Sequence, residues 1–121
     1  MDFKKTVEDL IECFLTAGDL SIKLREKGLI KKIKEDNTPV TDGDIEVNKI
    51  LTSEIEKLTP NIPIVSEEET KNKKKDLSTF WLIDPIDGTQ DYINNRDEFT
   101  LNAALIINKK PELGIINAPA K

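Results

Sequence analysis

Two aspartates, Asp84 and Asp87, have the residue type and spacing that most clearly suggest chemistry in this sequence. They follow a short apolar run, 80–83, of the kind that forms a buried strand. A Pro-Ile step separates them, so two carboxylates and an intervening carbonyl can converge on one point. Oxygen ligands of this type suit hard divalent cations. The spacing therefore predicts a cation site at the end of this strand.

An anion site is predicted directly after the aspartates. Gly88 and Thr89 come next, and residues 90–93 can begin a helix, whose first turn offers unpaired N–H groups to a phosphate. Cation ligands beside an anion site indicate metal-assisted phosphoryl transfer to water. The alternative interpretation is structural: a strand, a proline turn and an aspartate that caps the next helix.

Two predicted helices must position these residues. Residues 2–28 have apolar side chains at helical spacing, and Gly28 ends the pattern. The predicted buried side of this helix consists of Phe3, Val7, Leu10, Ile11, Phe14, Leu15, Gly18, Ile22 and Arg25. A second helix begins at Thr41, with Asp44 in the position of a capping box, and continues to Leu58. From the residues alone, Asp44 need only favour the positive end of the helix dipole.

Short strands are predicted between and after the helices. Residues 29–34 alternate as a strand or hairpin arm, and 63–65 form a short buried strand. The strand at 80–83 ends at Asp84-Pro85, since proline lacks a backbone donor. Strands at 99–107 and 113–116 form a hairpin around a turn at 108–111.

Composition excludes several classes of protein. The net charge of −5 and the lack of a long basic face argue against a nucleic acid polymer as partner. A single cysteine, Cys13, excludes an internal disulfide framework and favours the cytoplasm. No histidine is present, so His-based acid–base chemistry and His-ligated zinc are excluded. No apolar run approaches the roughly 20 residues of a membrane span.

The string Trp81-Leu82-Ile83-Asp84-Pro85-Ile86-Asp87-Gly88-Thr89 resembles the signature of the inositol monophosphatase superfamily. Ser66-Glu67-Glu68 resembles the Gly/Ser-Glu-Glu motif of that superfamily. The resemblance implies Mg²⁺ as cofactor, as two or three ions. Its implied ligands are Glu67, Asp84, the Ile86 carbonyl and Asp87, with Glu68 as a neighbouring carboxylate of the catalytic site.

The resemblance also assigns roles around the metal site. Asn37-Thr38-Pro39-Val40-Thr41-x-x-Asp44 is similar to the segment before the second helix of the superfamily. In the superfamily the corresponding aspartate pairs with the motif threonine to orient and deprotonate water, which implies that role for Asp44 and Thr89. Backbone N–H groups of Gly88 and Thr89 would hold phosphate. Lys34 matches a basic residue of the superfamily, and a solvated surface lysine is the equal alternative.

The flanking segments resemble the 3′(2′),5′-bisphosphate nucleotidase branch associated with sulfate assimilation. These segments are 37–41, 63–68, 98–105 and 114–119. The implied substrate is a small phosphorylated molecule, adenosine 3′,5′-bisphosphate, converted to AMP and phosphate, with lithium as inhibitor. Inositol monophosphate or another sugar phosphate is the alternative substrate. A non-catalytic domain that binds a phosphorylated ligand is the alternative of another class.

The implied fold is α+β: the N-terminal half of a layered α/β sugar phosphatase, with two long helices on a mostly antiparallel sheet. Superfamily members continue for about as many residues again, and that second half carries a Trp-Asp motif for the second metal. Residues 1–121 are therefore expected to be an incomplete metal-binding phosphatase domain with little activity alone. We expect the hairpin sheet to have an unpaired edge and an uncovered face. A homodimer is expected for the full-length form.

Overall fold

The computed structural model describes residues 2–66 and 77–121, and the structural statements below refer to these residues. The elements in chain order are α1 (Phe3–Lys27), β1 (Lys31–Ile33), β2 (Pro39–Thr41), α2 (Asp42–Leu58), β3 (Ile64–Ser66), β4 (Phe80–Asp87), α3 (Thr89–Ile93), β5 (Thr100–Ile107) and β6 (Lys110–Asn117). The predicted α+β class, with two long helices and a mostly antiparallel sheet, is confirmed.

Helix α1 begins and ends at the residues that the sequence predicts. The Asp2 side chain accepts a hydrogen bond from the Lys5 backbone N–H at 3.2 Å, and Gly28 ends the helix at a φ of 111°. This φ is one that glycine adopts without strain.

The predicted buried side of α1 is partly wrong, because Ile11 and Leu15 are 47% and 55% exposed. The observed buried residues are Thr6, Leu10, Phe14, Ala17, Gly18 and Ser21. Small side chains lie on the buried side where the helix approaches the end of β6: a Cβ on Gly18 would be 2.7 Å from Asn117 Oδ1. Close packing therefore selects small residues over a purely apolar pattern.

Four strands form the main sheet in the order β3-β4-β5-β6, and β1 pairs with β2 as a separate antiparallel hairpin. Strands β3 and β4 are parallel, and the other neighbours in the main sheet are antiparallel. The carboxyl ends of β3 and β4 therefore meet at one edge of the sheet, where Ser66 lies opposite Ile83. Ligand sites commonly form at such an edge.

Strand β4 continues beyond the end that the sequence predicts. Its pairing with β5 is interrupted between Asp84 and Asp87 and resumes where Asp87 lies opposite Thr100. Pro85 explains the interruption, since it cannot donate to the ladder, but its φ remains compatible with an extended chain. The result is an irregularity that brings Asp84 and Asp87 to the same region of the sheet edge.

The β5–β6 hairpin is also longer than predicted. Its turn consists of Asn108 and Lys109, with φ values of 51° and 65°. Two successive positive φ values match a turn whose twist suits adjacent antiparallel strands. In the described sheet β6 is the outer strand, and Ile116 on it is 75% exposed.

The core lies between the two long helices and one face of the sheet. Trp81 is fully buried there, and its indole Nε1 donates to Thr59 Oγ1 at the end of α2, at 2.9 Å. The other core residues are Leu10, Phe14, Ala17, Val47, Leu51, Ile55, Ile83, Ile86, Tyr92, Phe99, Leu101, Ala103 and Leu105. Within the described ranges, no helix has the length and apolar character needed to cross a membrane.

Candidate metal and phosphate site

The first turn of α2 holds Asp44 inside the protein. Thr41 and Asp44 form the predicted capping box, and Asp44 is fully buried. Asp44 Oδ2 accepts from the Thr41 backbone N–H at 2.8 Å and from Thr41 Oγ1 at 2.6 Å. These donors stabilise a buried carboxylate that would otherwise be costly to desolvate. One carboxylate oxygen of Asp44 is thus occupied by its own helix cap.

The second oxygen of Asp44 faces the start of α3. Thr89 Oγ1 lies 3.0 Å from Asp44 Oδ1 and 3.2 Å from the Ile86 carbonyl oxygen. A hydroxyl has one proton to donate, and the charged, nearer acceptor is the stronger one. Thr89 therefore donates to Asp44, and its lone pairs are left for a donor such as water. The structure therefore brings Asp44 and Thr89 into contact. Their positions in the sequence are 45 apart, and from the sequence only the family resemblance links them.

The predicted ligands of β4 line a cavity of about 240 Å³ in front of this pair. Its lining residues are Lys34, Asp36, Thr38, Pro39, Asp84, Ile86, Asp87, Gly88, Thr89 and Gln90. The cavity thus contains the predicted cation ligands of β4 and the predicted phosphate-binding residues. Lys34 contributes a positive charge to its wall, on the side of the β1–β2 hairpin.

The donor set of this cavity fits a hard cation. Asp84 and Asp87 supply carboxylate oxygens, and none of the described residues that line this space is a cysteine or a histidine. Such oxygen-only sets suit Mg²⁺. Within 2–66 and 77–121 no three acidic, histidine or cysteine side chains are arranged so that they could hold one metal ion. The remaining predicted ligand, Glu67, and its neighbour Glu68 lie outside the described residues.

Gly88 allows the chain to turn from β4 into α3. Its φ is 90°, and a Cβ at this position would lie 3.0 Å from the Glu98 carbonyl oxygen. Both the left-handed conformation and the close approach favour glycine. The backbone at Gly88 and Thr89 is therefore placed directly beside Asp87 in the cavity wall.

Two cavity residues were not singled out from the sequence. Asp36 was interpreted as part of a turn, and its Oδ1 accepts from the Thr38 hydroxyl at 2.5 Å and from the Thr38 backbone N–H at 3.1 Å. These hydrogen bonds, and then the charge of Lys34, hold the pKa of Asp36 below its ordinary value. Gln90 was noted only as part of the next helix. The proximity of Asp36 and Gln90 to Asp84 and Asp87 is visible only in the folded chain.

A third residue that the sequence did not indicate is Asn102 on β5. Its Nδ2 donates to Asp87 Oδ2 at 3.4 Å, and it lies opposite Asp84 in the register of the two strands. The signal in the sequence is its polar side chain within the otherwise apolar run Leu101–Ile107.

Tyr92 connects the site to the helices behind it. It is fully buried, and its hydroxyl donates to the Ser21 carbonyl oxygen at 2.6 Å. Burial raises the pKa of Tyr92, and the negative charges of Asp44 and Asp42 raise it further. The Cζ atom of Arg25 lies 5.6 Å from the centroid of the Tyr92 ring, which is a cation–π contact. From the sequence, the helical spacing of Arg25 predicts only that it lies on the packed side of α1.

The sequence and the fold of this chain both match those of known proteins. A model of the inositol monophosphatase family matches residues 5–121, nearly the whole chain. This chain belongs to the inositol monophosphatase family. The 3′(2′),5′-bisphosphate nucleotidase CysQ of Aggregatibacter actinomycetemcomitans is 39% identical over 116 residues, which cover 93% of this chain and 43% of the relative.

Solved structures of the family agree with the fold. The crystal structure of CysQ from Bacteroides thetaiotaomicron has a TM-score of 0.78 and 29% identity, covering 99% of this chain and 44% of that one. An IMPase/NADP phosphatase complexed with Mg²⁺ and phosphate has a TM-score of 0.79 at 20% identity, covering 96% of this chain and 45% of that one. The chain therefore spans about half the length of these family members.

Proposed function

We propose that this chain is the metal-binding part of a Mg²⁺-dependent phosphomonoesterase, a 3′(2′),5′-bisphosphate nucleotidase that converts adenosine 3′,5′-bisphosphate to AMP and phosphate. The observation that carries the proposal is the Thr89–Asp44 hydrogen bond of 3.0 Å beside the cavity that Asp84 and Asp87 line. A proton acceptor next to a cation site is what hydrolysis by an activated water requires. The similarity to CysQ supports the choice of substrate.

Asp44 and Thr89 would carry the proton transfer. Asp44 stays in place because Thr41 holds its other oxygen, and Thr89 keeps a lone pair for the attacking water. As the water oxygen bonds to phosphorus, its proton passes to the Thr89–Asp44 pair, and the ester oxygen leaves and takes a proton from solvent. This arrangement requires no covalent phosphoenzyme.

Asp84, Asp87, the Ile86 carbonyl and Glu67 would hold the cation. When bound, Mg²⁺ supplies charge neutralisation of the phosphate and lowers the pKa of the attacking water. Glu68 would act as a neighbouring carboxylate. Backbone N–H groups of Gly88 and Thr89, with the Lys34 ammonium, would bind phosphate oxygens in the same cavity.

The proposal includes little or no turnover by the 121 residues alone. Affinity for a hard cation rises with the number of charged ligands, and the proposed ligand carboxylates of this chain are Asp84, Asp87 and Glu67. A second ion would need more anionic ligands than these. We also place the protein in the cytoplasm, on the strength of its single cysteine, and expect a homodimer for the full-length form.

The test is an assay of the gene product that carries these residues, expressed from the complete reading frame to its stop codon. Adenosine 3′,5′-bisphosphate, inositol 1-phosphate and fructose 1,6-bisphosphate are compared with and without Mg²⁺. We expect Mg²⁺-dependent phosphate release with the highest kcat/KM for the nucleotide, and loss of turnover in Asp87→Asn. A higher kcat/KM for inositol 1-phosphate would overturn the substrate, and full activity of Asp87→Asn would overturn the metal site.

Calorimetry combined with the phosphate-release assay distinguishes an enzyme from a non-catalytic phosphate-binding module. Calorimetry on the wild-type gene product measures binding of adenosine 3′,5′-bisphosphate in the presence of Mg²⁺. Binding without phosphate release would favour the non-catalytic alternative. The 121-residue chain, assayed in parallel, should release phosphate at a far lower rate than the gene product if the gene product is longer. Robust turnover by the purified 121-residue chain would overturn its predicted inactivity.

A further inference from the structure

Asn102 occupies an unusual place for a polar side chain. It lies in the middle of β5, between the buried residues Leu101 and Ala103, and its own side chain points to the opposite, half-exposed face of the sheet. In the strand register it is the partner of Asp84 on one side and of Ile116 on the other. A β-branched or aromatic residue would be the usual choice in such a strand.

The irregular pairing of β4 explains what Asn102 contacts. Because the register shifts between Asp84 and Asp87, Asn102 lies opposite the first aspartate while its side chain reaches the second. The Asn102 amide nitrogen is 3.4 Å from Asp87 Oδ2. An ionised carboxylate only accepts hydrogen bonds, so the amide must present its NH₂ group to Asp87.

We propose that Asn102 is a positioning residue of the cation site, an inference that rests on the proposed function. Two carboxylates that converge on one cation repel each other before the cation binds. A neutral donor on one oxygen of Asp87 fixes the orientation of that carboxylate and leaves its other oxygen for the cation. Donors of this kind, one step removed from a metal, set the orientation of ligands and contribute to affinity.

The length of the Asn102–Asp87 contact predicts that removing the amide changes Mg²⁺ affinity more than it changes the stability of the fold. At 3.4 Å it is longer than the usual range of about 2.7–3.2 Å, and Asp87 is exposed. Such a contact contributes little to folding. Loss of a donor to a metal ligand, by contrast, typically weakens metal binding by about 10-fold or more. Removing the Asn102 amide should therefore raise the dissociation constant for Mg²⁺ and leave stability without Mg²⁺ unchanged.

The experiment titrates Mg²⁺ alone into the gene product by calorimetry, and measures thermal unfolding without Mg²⁺. Asn102→Leu removes the amide at similar volume, and Asn102→Gln keeps an amide on a longer side chain. Ile116→Ala is the control for disturbance of the same sheet face, since Ile116 is the strand partner of Asn102. Asp87→Asn reports the cation site itself. In the wild type, the side-chain amide NMR signals of Asn102 should shift as Mg²⁺ is added.

The expected result is a dissociation constant about 10-fold higher in Asn102→Leu, a smaller change in Asn102→Gln and none in Ile116→Ala. Wild-type affinity in Asn102→Leu would overturn the inference and leave the proposed function standing. Equal losses in the Leu and Gln variants would also overturn it, because side-chain shape rather than the donor would then matter. Absence of Mg²⁺ binding in the wild type would overturn the proposed metal site, and this inference with it.

Discussion

The two sides of the candidate site are built in different ways. On the buried side, formed by Thr41, Asp44 and Thr89, the Asp44 carboxylate has no exposed surface and accepts hydrogen bonds of 2.6–3.0 Å. On the open side, formed by Asp84 and Asp87, the Asp87 carboxylate is exposed, and its contact with Asn102 is 3.4 Å long.

This difference indicates that folding alone sets the geometry of the buried side, whereas the geometry of the open side depends on a bound ligand. The buried side is part of a helix cap and of the core behind it, so its geometry is determined when the protein folds. The open side presents the carboxylates of Asp84 and Asp87 to the cavity, and a bound cation would stabilise these two like charges. Substitutions on or behind the buried side should therefore cost stability, and substitutions on the open side should cost ligand binding.

The largest expected effect comes from Gly43→Ala, behind the buried side. The added Cβ would lie 2.3 Å from Tyr92 Oη and 2.7 Å from Tyr92 Cε2, inside a packed core. Overpacking of this kind should lower the free energy of unfolding by about 3 kcal/mol. Urea denaturation measures the loss, with Gly114→Ala as control, where the nearest atom is 3.9 Å away. Equal stability of the two variants would contradict the packing shown here.

A smaller loss is expected for Tyr92→Phe. The variant removes the hydrogen bond of 2.6 Å from the buried Tyr92 hydroxyl to the Ser21 carbonyl oxygen. The expected cost is about 1 kcal/mol in urea denaturation. Because the phenylalanine lacks the oxygen nearest to the added methyl group, Gly43→Ala should cost less in the Tyr92→Phe background. Strict additivity of the two changes would argue against direct contact.

On the open side, Asp87→Asn should leave stability without Mg²⁺ within about 0.5 kcal/mol of the wild type, as for other exposed substitutions. The same variant should lose the increase in melting temperature that Mg²⁺ gives the wild type, since a ligand stabilises only a state that binds it. Differential scanning fluorimetry with and without Mg²⁺ measures both quantities. A large loss of stability of Asp87→Asn in the absence of Mg²⁺ would mean that Asp87 stabilises the fold, as the residues of the buried side do.

The smallest effect near neutral pH concerns Cys13, on α1 and remote from both sides. Burial raises its pKa from 9.0 to about 11, and the charge of Glu54 adds to the shift. The folded state therefore favours the neutral thiol, so this contribution to stability is complete below pH 9 and is lost as pH rises toward 11. Urea denaturation across this range should show a steeper decline for the wild type than for Cys13→Ala. Parallel declines would exclude the contribution of Cys13.

Much of the buried side was predictable from the sequence because its signals are local. The capping box joins Thr41 and Asp44, which are three positions apart in the sequence. The pairing of Asp44 with Thr89 was implied by resemblance to a family, since 45 residues separate them. No local pattern would have joined them.

What the sequence did not predict depends on packing between distant segments. Asn102 and Asp36 lie near the aspartates only because of strand register and the placement of the β1–β2 hairpin. Gly43 was interpreted as part of a helix start, and its contact with Tyr92 is a property of the folded core. The sequence does not predict the extension of β4 past Pro85, because a proline is expected to end strand pairing. In the structure Pro85 only shifts the register between β4 and β5, and the pairing resumes at Asp87.

The most direct test of the account is the rate of phosphate release from adenosine 3′,5′-bisphosphate by the gene product and its Thr89→Val variant, as Mg²⁺ is increased. We expect no release without Mg²⁺, a rate that saturates with Mg²⁺ in the wild type, and a rate about 10²–10⁴-fold lower in Thr89→Val at saturating Mg²⁺. Loss of the hydroxyl removes the path from water to Asp44 and leaves the cation ligands in place. A Thr89→Val rate equal to that of the wild type would contradict the account.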